Sequence, residues 1–171
     1  MLLSLKDYWI SKWYFIEKKL NEFSEAKRDW FDNIKKVVID FDETWKKFGD
    51  LSSKTADVLD IKNDNNLNFI EFKNIIDNWN IEEFIKNLNF DLKVEESFHL
   101  LRRIIKERNF WTIENRKNFN ETRNQFIFSI AWDISYELET LLSLEVLGLE
   151  DYDKTLEKVF WIETKNLKNY L

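Results

Sequence analysis

Asp57, Glu71 and Lys73 bound the one stretch of this chain in which acidic and basic groups sit at a spacing with known chemistry. Val58, Leu59 and Ile61 are β-formers, and Asn63-Asp64-Asn65-Asn66 is a turn cluster. Leu67, Phe69 and Glu71 then alternate with Asn68, Ile70 and Phe72, so residues 56 to 74 read as a β-hairpin. Side chains repeat every two residues along a strand, which puts Glu71 and Lys73 on one face, with Leu67 and Phe69 behind them. The first strand returns antiparallel, so Asp57 or Asp60 can lie opposite that pair. Two carboxylates and an ammonium then converge on one patch.

Ala56-Asp57-Val58-Leu59 and Ile70-Glu71-Phe72-Lys73-Asn74, with thirteen residues between Asp57 and Glu71, resemble the Asp strand and the Glu-x-Lys strand of the PD-(D/E)xK nuclease superfamily. The resemblance implies a restriction-endonuclease-like core and cleavage of phosphodiester bonds in nucleic acid. It casts Asp57, Glu71 and Lys73 as the catalytic set. Asp57 and Glu71 would bind Mg²⁺ or Mn²⁺, with Asp60 the reserve ligand if the hairpin register sets it opposite Glu71. Mg²⁺ is a hard cation that keeps several waters, so one or two carboxylates suffice. It would lower the pKa of water and polarise the scissile phosphate, while the Lys73 ammonium offsets developing charge. Lys86, Lys93 and Ser97 lie where the superfamily often adds a polar residue. Two departures stand out. No proline precedes Asp57, since the chain has none, and Val37 to Phe41, the stretch available for the preceding strand, also fits a helix.

Two other readings compete. Counted from Asp60 as position 1 of an EF-hand-like calcium loop, Asp64 falls at 5, Leu67 at 8 and Glu71 at 12. Lys62 then takes a ligand position, and Asn65 stands where the loop needs glycine. The other alternative is a small acidic interaction protein without catalysis, an immunity or anti-defence type inhibitor that binds a basic protein partner.

Composition bounds these readings. A chain of 171 residues with eight Trp, fifteen Phe and 44% hydrophobic residues can bury one sizeable core. The absence of cysteine excludes disulfides and thiolate metal sites. Lys6, Asp7 and Lys12 interrupt the N-terminal apolar pattern, and no apolar run reaches membrane length, so the expectation is a cytoplasmic protein away from membranes. Net charge is −6, but basic residues cluster. Between His99 and Arg123, Arg102, Arg103, Lys106, Arg108, Arg116, Lys117 and Arg123 face only three acidic residues, with Phe110 and Trp111 among them. The segment suits phosphate tracking with aromatics for base stacking; a solvated helix face has the same composition. His99 is the only histidine, so a di-iron site with two Glu-x-x-His pairs is excluded. An Arg-x(4–6)-His ribonuclease pair and a glycine-rich phosphate loop are missing too.

Around the hairpin, helices dominate the expected structure. Leu2, Leu5, Trp9, Trp13, Ile16, Leu20 and Phe23 step by three and four, as do Trp30, Ile34, Val37, Phe41, Trp45 and Phe48 after a Ser24 cap. Asn80-Ile81-Glu82-Glu83 has the form of a capping box. Residues 88 to 94 alternate like a strand, yet Val94, Phe98, Leu101 and Ile105 make a helical face. A buried helix over about 118 to 147 and a last one carrying Leu156, Val159, Phe160, Leu167 and Leu171 complete the reading. The expected fold is therefore α+β and helix-rich, a single domain over 1–171 with a small antiparallel hairpin or sheet. It comprises a helical pair at 1–49, the candidate nuclease-like core at 54–109 and long helices at 112–171.

Overall fold

A computed structural model describes residues 2–12, 14–23, 34–47, 54–73, 89–106, 112, 117, 123–130 and 158–171. Its centre is a sheet of six strands in sequence order: β1 (Ile16–Lys19), β2 (Val37–Asp40), β3 (Val58–Asn63), β4 (Asn66–Lys73), β5 (Arg123–Ile130) and β6 (Lys158–Glu163). The first four form an antiparallel meander, whereas β5 pairs parallel to β4 and β6 parallel to β5. A parallel pair needs a crossover. Helix α3 (Phe90–Lys106) lies between β4 and β5 in sequence and covers one sheet face.

The β3–β4 hairpin forms as its residues dictate. Asn63 pairs with Asn66, and the Asn63 side-chain oxygen accepts the Asn65 amide at 2.8 Å, the Asx geometry that turns the chain. Asp64 at the tip accepts the Leu3 amide at 2.9 Å, tying the turn to α1 (Leu2–Ser11). Residues Leu67 to Phe72 of β4 are all buried, because this strand is interior to the sheet and covered on both faces.

Alternation divides those residues between two cores. On one face Ile39, Leu59, Leu67, Phe69 and Phe126 meet Leu2, Leu5 and Trp9 of α1 and Val94, Phe98, Leu101 and Ile105 of α3. Phe69 is its hub, with ring centroids 4.9 Å from Phe98, 5.6 Å from Phe41 and 5.9 Å from Phe126. Burying one such aromatic contributes about 1.5–3 kcal/mol. On the other face Val38, Val58, Ile70, Phe72 and Ile127 pack with Leu20, Phe23 and Leu167, which lie in or beside short 3-10 turns at Leu20–Glu22 and Thr164–Asn169.

This sheet overturns the helix-rich expectation. The first helix stops at Ser11, and Ile16–Lys19 is a strand. Within the second expected helix the described residues are instead β2 running directly into the short α2 (Phe41–Lys47). Asp40 makes that junction: its side chain accepts the Glu43 amide at 3.1 Å as a helix cap, and its carbonyl accepts the Thr44 hydroxyl at 2.8 Å. Within the long helix expected over 118 to 147, residues 123–130 are strand, and 158–163 are strand where the last helix was expected. The cause is common to these cases. Buried strands read as short apolar runs that periodicity cannot separate from buried helix. Residues 90–94 go the other way and begin α3, so the helical alternative there is the correct one. The capping box at 80–83 and the Ser24 cap fall outside the described residues.

Candidate functional site

The hairpin register positions the acidic pair. The ladder ends where Val58 pairs with Ile70, which brings the preceding residue, Asp57, within reach of the Glu71 charge. At Asp57 the chain bends out of the ladder. Its carbonyl accepts the Phe41 amide at 3.0 Å, and its Oδ2 takes the Phe72 amide at 2.7 Å, the role a backbone carbonyl would fill in a longer strand. Asp57 is thereby held at the mouth of the hairpin, half-buried.

Glu71 is fully buried, on the α3 face of β4 with Leu67 and Phe69. Its Oε1 receives two ammonium groups, Lys73 Nζ at 2.5 Å and Lys93 Nζ at 2.6 Å. Lys73 follows by the period of two, and Lys93 comes from the first turn of α3. Lys93 Nζ also reaches the Thr55 carbonyl at 3.2 Å, so it joins the Asp57 side of the site to the Glu71 side. Asn89, at a left-handed φ of 47° that asparagine tolerates, turns the chain into this helix, and its carbonyl accepts the Lys93 amide at 3.0 Å.

Asp57 feels both signs of charge. Burial pushes its carboxyl up to about 8, aided by the negative charge of Glu71, against the opposing pull of the Phe72 amide and the two lysines. Among the described residues Glu71 Oε2 is buried and without a hydrogen-bond partner, the lysine nitrogens lying against Oε1. An acceptor left bare inside a protein is costly, and a cation seated there would relieve it. The donor set fits a hard divalent cation: carboxylate oxygens of Asp57 and Glu71, with the two lysines gathered on the other Glu71 oxygen. Among the described residues no group of three or more His, Cys, Asp or Glu side chains gathers. Two carboxylates would therefore supply the protein charge, and water or substrate the rest of the shell.

Asp60 does not belong to this site. It pairs with Asn68, not Glu71, so it points to the opposite sheet face. There it is buried and forms an ion pair with Lys36 at 2.7 Å, while Lys36 Nζ also donates to the Leu171 carbonyl at 2.8 Å. The same geometry speaks against the calcium-loop register, because its first and last ligands, Asp60 and Glu71, face opposite sides of the hairpin. Arg102, Arg103 and Lys106 are exposed on α3. They lie nine to thirteen residues past Lys93, about 14 to 20 Å along the helix axis at about 1.5 Å per residue. Lys117 is exposed as well, whereas Arg108, Arg116, Phe110, Trp111 and Lys86 lie outside the described residues.

Glu96 is the participant that motif reading passed over. Its carboxylate accepts the Lys54 amide, and Ser97 Oγ accepts the Ala56 amide at 2.8 Å. The signal was present as a polar stripe, Lys93, Glu96 and Ser97, at the i, i+3, i+4 spacing that shares one helix face. No family model, curated protein or solved structure matches this chain.

Proposed function

We propose that this chain is a PD-(D/E)xK-type nuclease that hydrolyses phosphodiester bonds of nucleic acid with Mg²⁺ or Mn²⁺. The observation that carries the reading is the gathering of Asp57, Glu71, Lys73 and Lys93 at one end of a buried hairpin, with Glu71 Oε2 bare. Gathering two carboxylates and two ammonium groups around a fully buried Glu71 is a poor way to stabilise a fold, since desolvation offsets much of their attraction. A carboxyl perturbed like that of Asp57 within a cluster of titratable groups is a mark of working sites. The order of elements supports the resemblance as well, because a helix, α3, and then a parallel strand, β5, follow the Glu-x-Lys strand.

Each side chain has a part. Asp57 and Glu71 hold the cation, which when bound polarises the phosphate and makes water more acidic. Lys73, with its side chain 26% exposed, can leave Glu71 to meet the negative charge that grows on the phosphoryl oxygens. Lys93 is more enclosed and anchored on the Thr55 carbonyl, so it stays to orient Glu71. The test is cleavage of labelled single- and double-stranded DNA and RNA with Mg²⁺ or Mn²⁺. Wild type should cut, and Lys73→Ala should cut about 10²–10³-fold more slowly with its fold intact. Wild-type turnover no greater than that of Lys73→Ala removes the reading.

One observation favours the rival. Glu71 already holds two ammonium partners, and the chain is acidic overall at −6. A closed ion cluster inside an acidic protein suits a binder of a basic protein partner, in which case no metal-dependent cleavage appears.

A further inference from the structure

Three consecutive residues lead into Asp57, and three residues of α3 hold them. The Lys54 amide donates to Glu96, the Thr55 carbonyl accepts Lys93 Nζ, and the Ala56 amide donates to Ser97 Oγ. Residues 54–56 lie outside regular structure, so the sheet ladder leaves their polar groups to be satisfied by other means. Thr55 and Ala56 are buried, which leaves water a poor substitute. The helix thus reads the segment in order, using one stripe of side chains.

We infer that Ser97 is a positioning residue for Asp57: it fixes the backbone one residue ahead of that carboxylate and thereby sets where the acidic pair meets the cation. Ser97 is fully buried, and its hydroxyl acts on Asp57 through the backbone of Ala56. Its hydroxyl donates to the Lys93 carbonyl at 2.5 Å, which orients the oxygen lone pairs toward the Ala56 amide. The next backbone anchor is the Phe41 amide on the Asp57 carbonyl. Asp57 is therefore pinned between α2 and α3, and Ser97 supplies the α3 side. Outer partners that orient a metal-binding group are commonly worth 10–100-fold in affinity.

The inference rests on the metal-binding reading of Asp57 and Glu71, and the experiment separates the two. Mn²⁺ affinity is measured by calorimetric titration at pH 8 on wild type, Ser97→Ala, Ser97→Thr and Leu167→Ala, with the melting temperature of each. Leu167 is a core residue on the far sheet face and serves as a control for general destabilisation. Ser97→Ala should bind Mn²⁺ about 10-fold or more weakly, and Ser97→Thr, which keeps the hydroxyl, should recover most of the loss. Leu167→Ala should lower the melting temperature without lowering Mn²⁺ affinity. In the metal-free protein, Ser97→Ala should speed hydrogen exchange at the Ala56 amide selectively. Wild-type affinity in Ser97→Ala, or an equal loss in Leu167→Ala, overturns the positioning role alone. Failure of the wild type to bind Mn²⁺ removes the metal reading beneath it.

Discussion

Glu71 shows most clearly what a single residue can carry here. A carboxylate with no exposure survives inside an apolar strand because Lys73 and Lys93 both reach one of its oxygens. The two lysines are not equivalent. Lys73→Ala leaves Glu71 its Lys93 partner and should cost no more than about 1 kcal/mol, the range of a partly exposed ion pair. Lys93→Ala strips the more enclosed partner and also leaves the Thr55 carbonyl unpaired, so about 2–4 kcal/mol is expected from urea unfolding of the two variants. Equal losses would contradict the assignment of Lys93 as the anchor.

Asp57 supplies a pH signature. Its folded pKa of about 8 lies above the ordinary carboxylate range. The unfolded chain ionises this group first as pH rises. Its contribution to stability is thus complete below about pH 4 and is lost progressively up to about pH 8. Asp57→Asn should remove that slope, so its melting temperature should gain on wild type between pH 5 and 8. A cation must displace the same proton, so Mn²⁺ affinity should climb over this interval and level off above it. An affinity flat from pH 6 to 8 would show that Asp57 is not a ligand.

At the scale of elements, the hairpin was legible and the sheet around it was not. The Asn63 to Asn66 turn and the alternation from Leu67 to Lys73 are local signals, and they place Glu71 and Lys73 on one face without any knowledge of the fold. Asp60 was harder. Which of Asp57 and Asp60 opposes Glu71 depends on a register that a bulge near Ile61 and Asn63 alters, and the turn sequence does not encode it uniquely. β2 and β5 were lost to helix because Val37–Asp40 abuts α2 and Phe126-Ile127 sits in a run covered on both sides. The contact of α3 with the Asp57 segment spans about forty residues of sequence, and no local pattern announces it. The placement of Asp60 has its own test. Asp60→Asn should lower stability by about 1–3 kcal/mol through loss of the buried Lys36 pair, yet leave Mn²⁺ affinity unchanged. A loss of affinity would put Asp60 back among the ligands.

The whole molecule carries −6, so the proposed nucleic-acid binding would need a local basic surface. The exposed Arg102, Arg103 and Lys106 lie about 14 to 20 Å from Lys93 along α3, a spacing at which they could hold phosphates beyond the scissile one. Arg102→Ala with Arg103→Ala should weaken nucleic-acid binding and flatten its salt dependence, while leaving Mn²⁺ affinity as in wild type. Fluorescence anisotropy across a salt series reads the first effect, and an unchanged slope would remove this face from the binding track. No helix among the described residues is long and apolar enough to cross a membrane.

The central claim is that Asp57 and Glu71 share one cation while Lys93 holds the other Glu71 oxygen. It is tested most directly by crystals soaked in MnCl₂ and measured for Mn anomalous scattering. The account predicts one peak at about 2.0–2.2 Å from a carboxylate oxygen of each residue, with Glu71 Oε2 among its ligands. A map without a peak between Asp57 and Glu71 would contradict it.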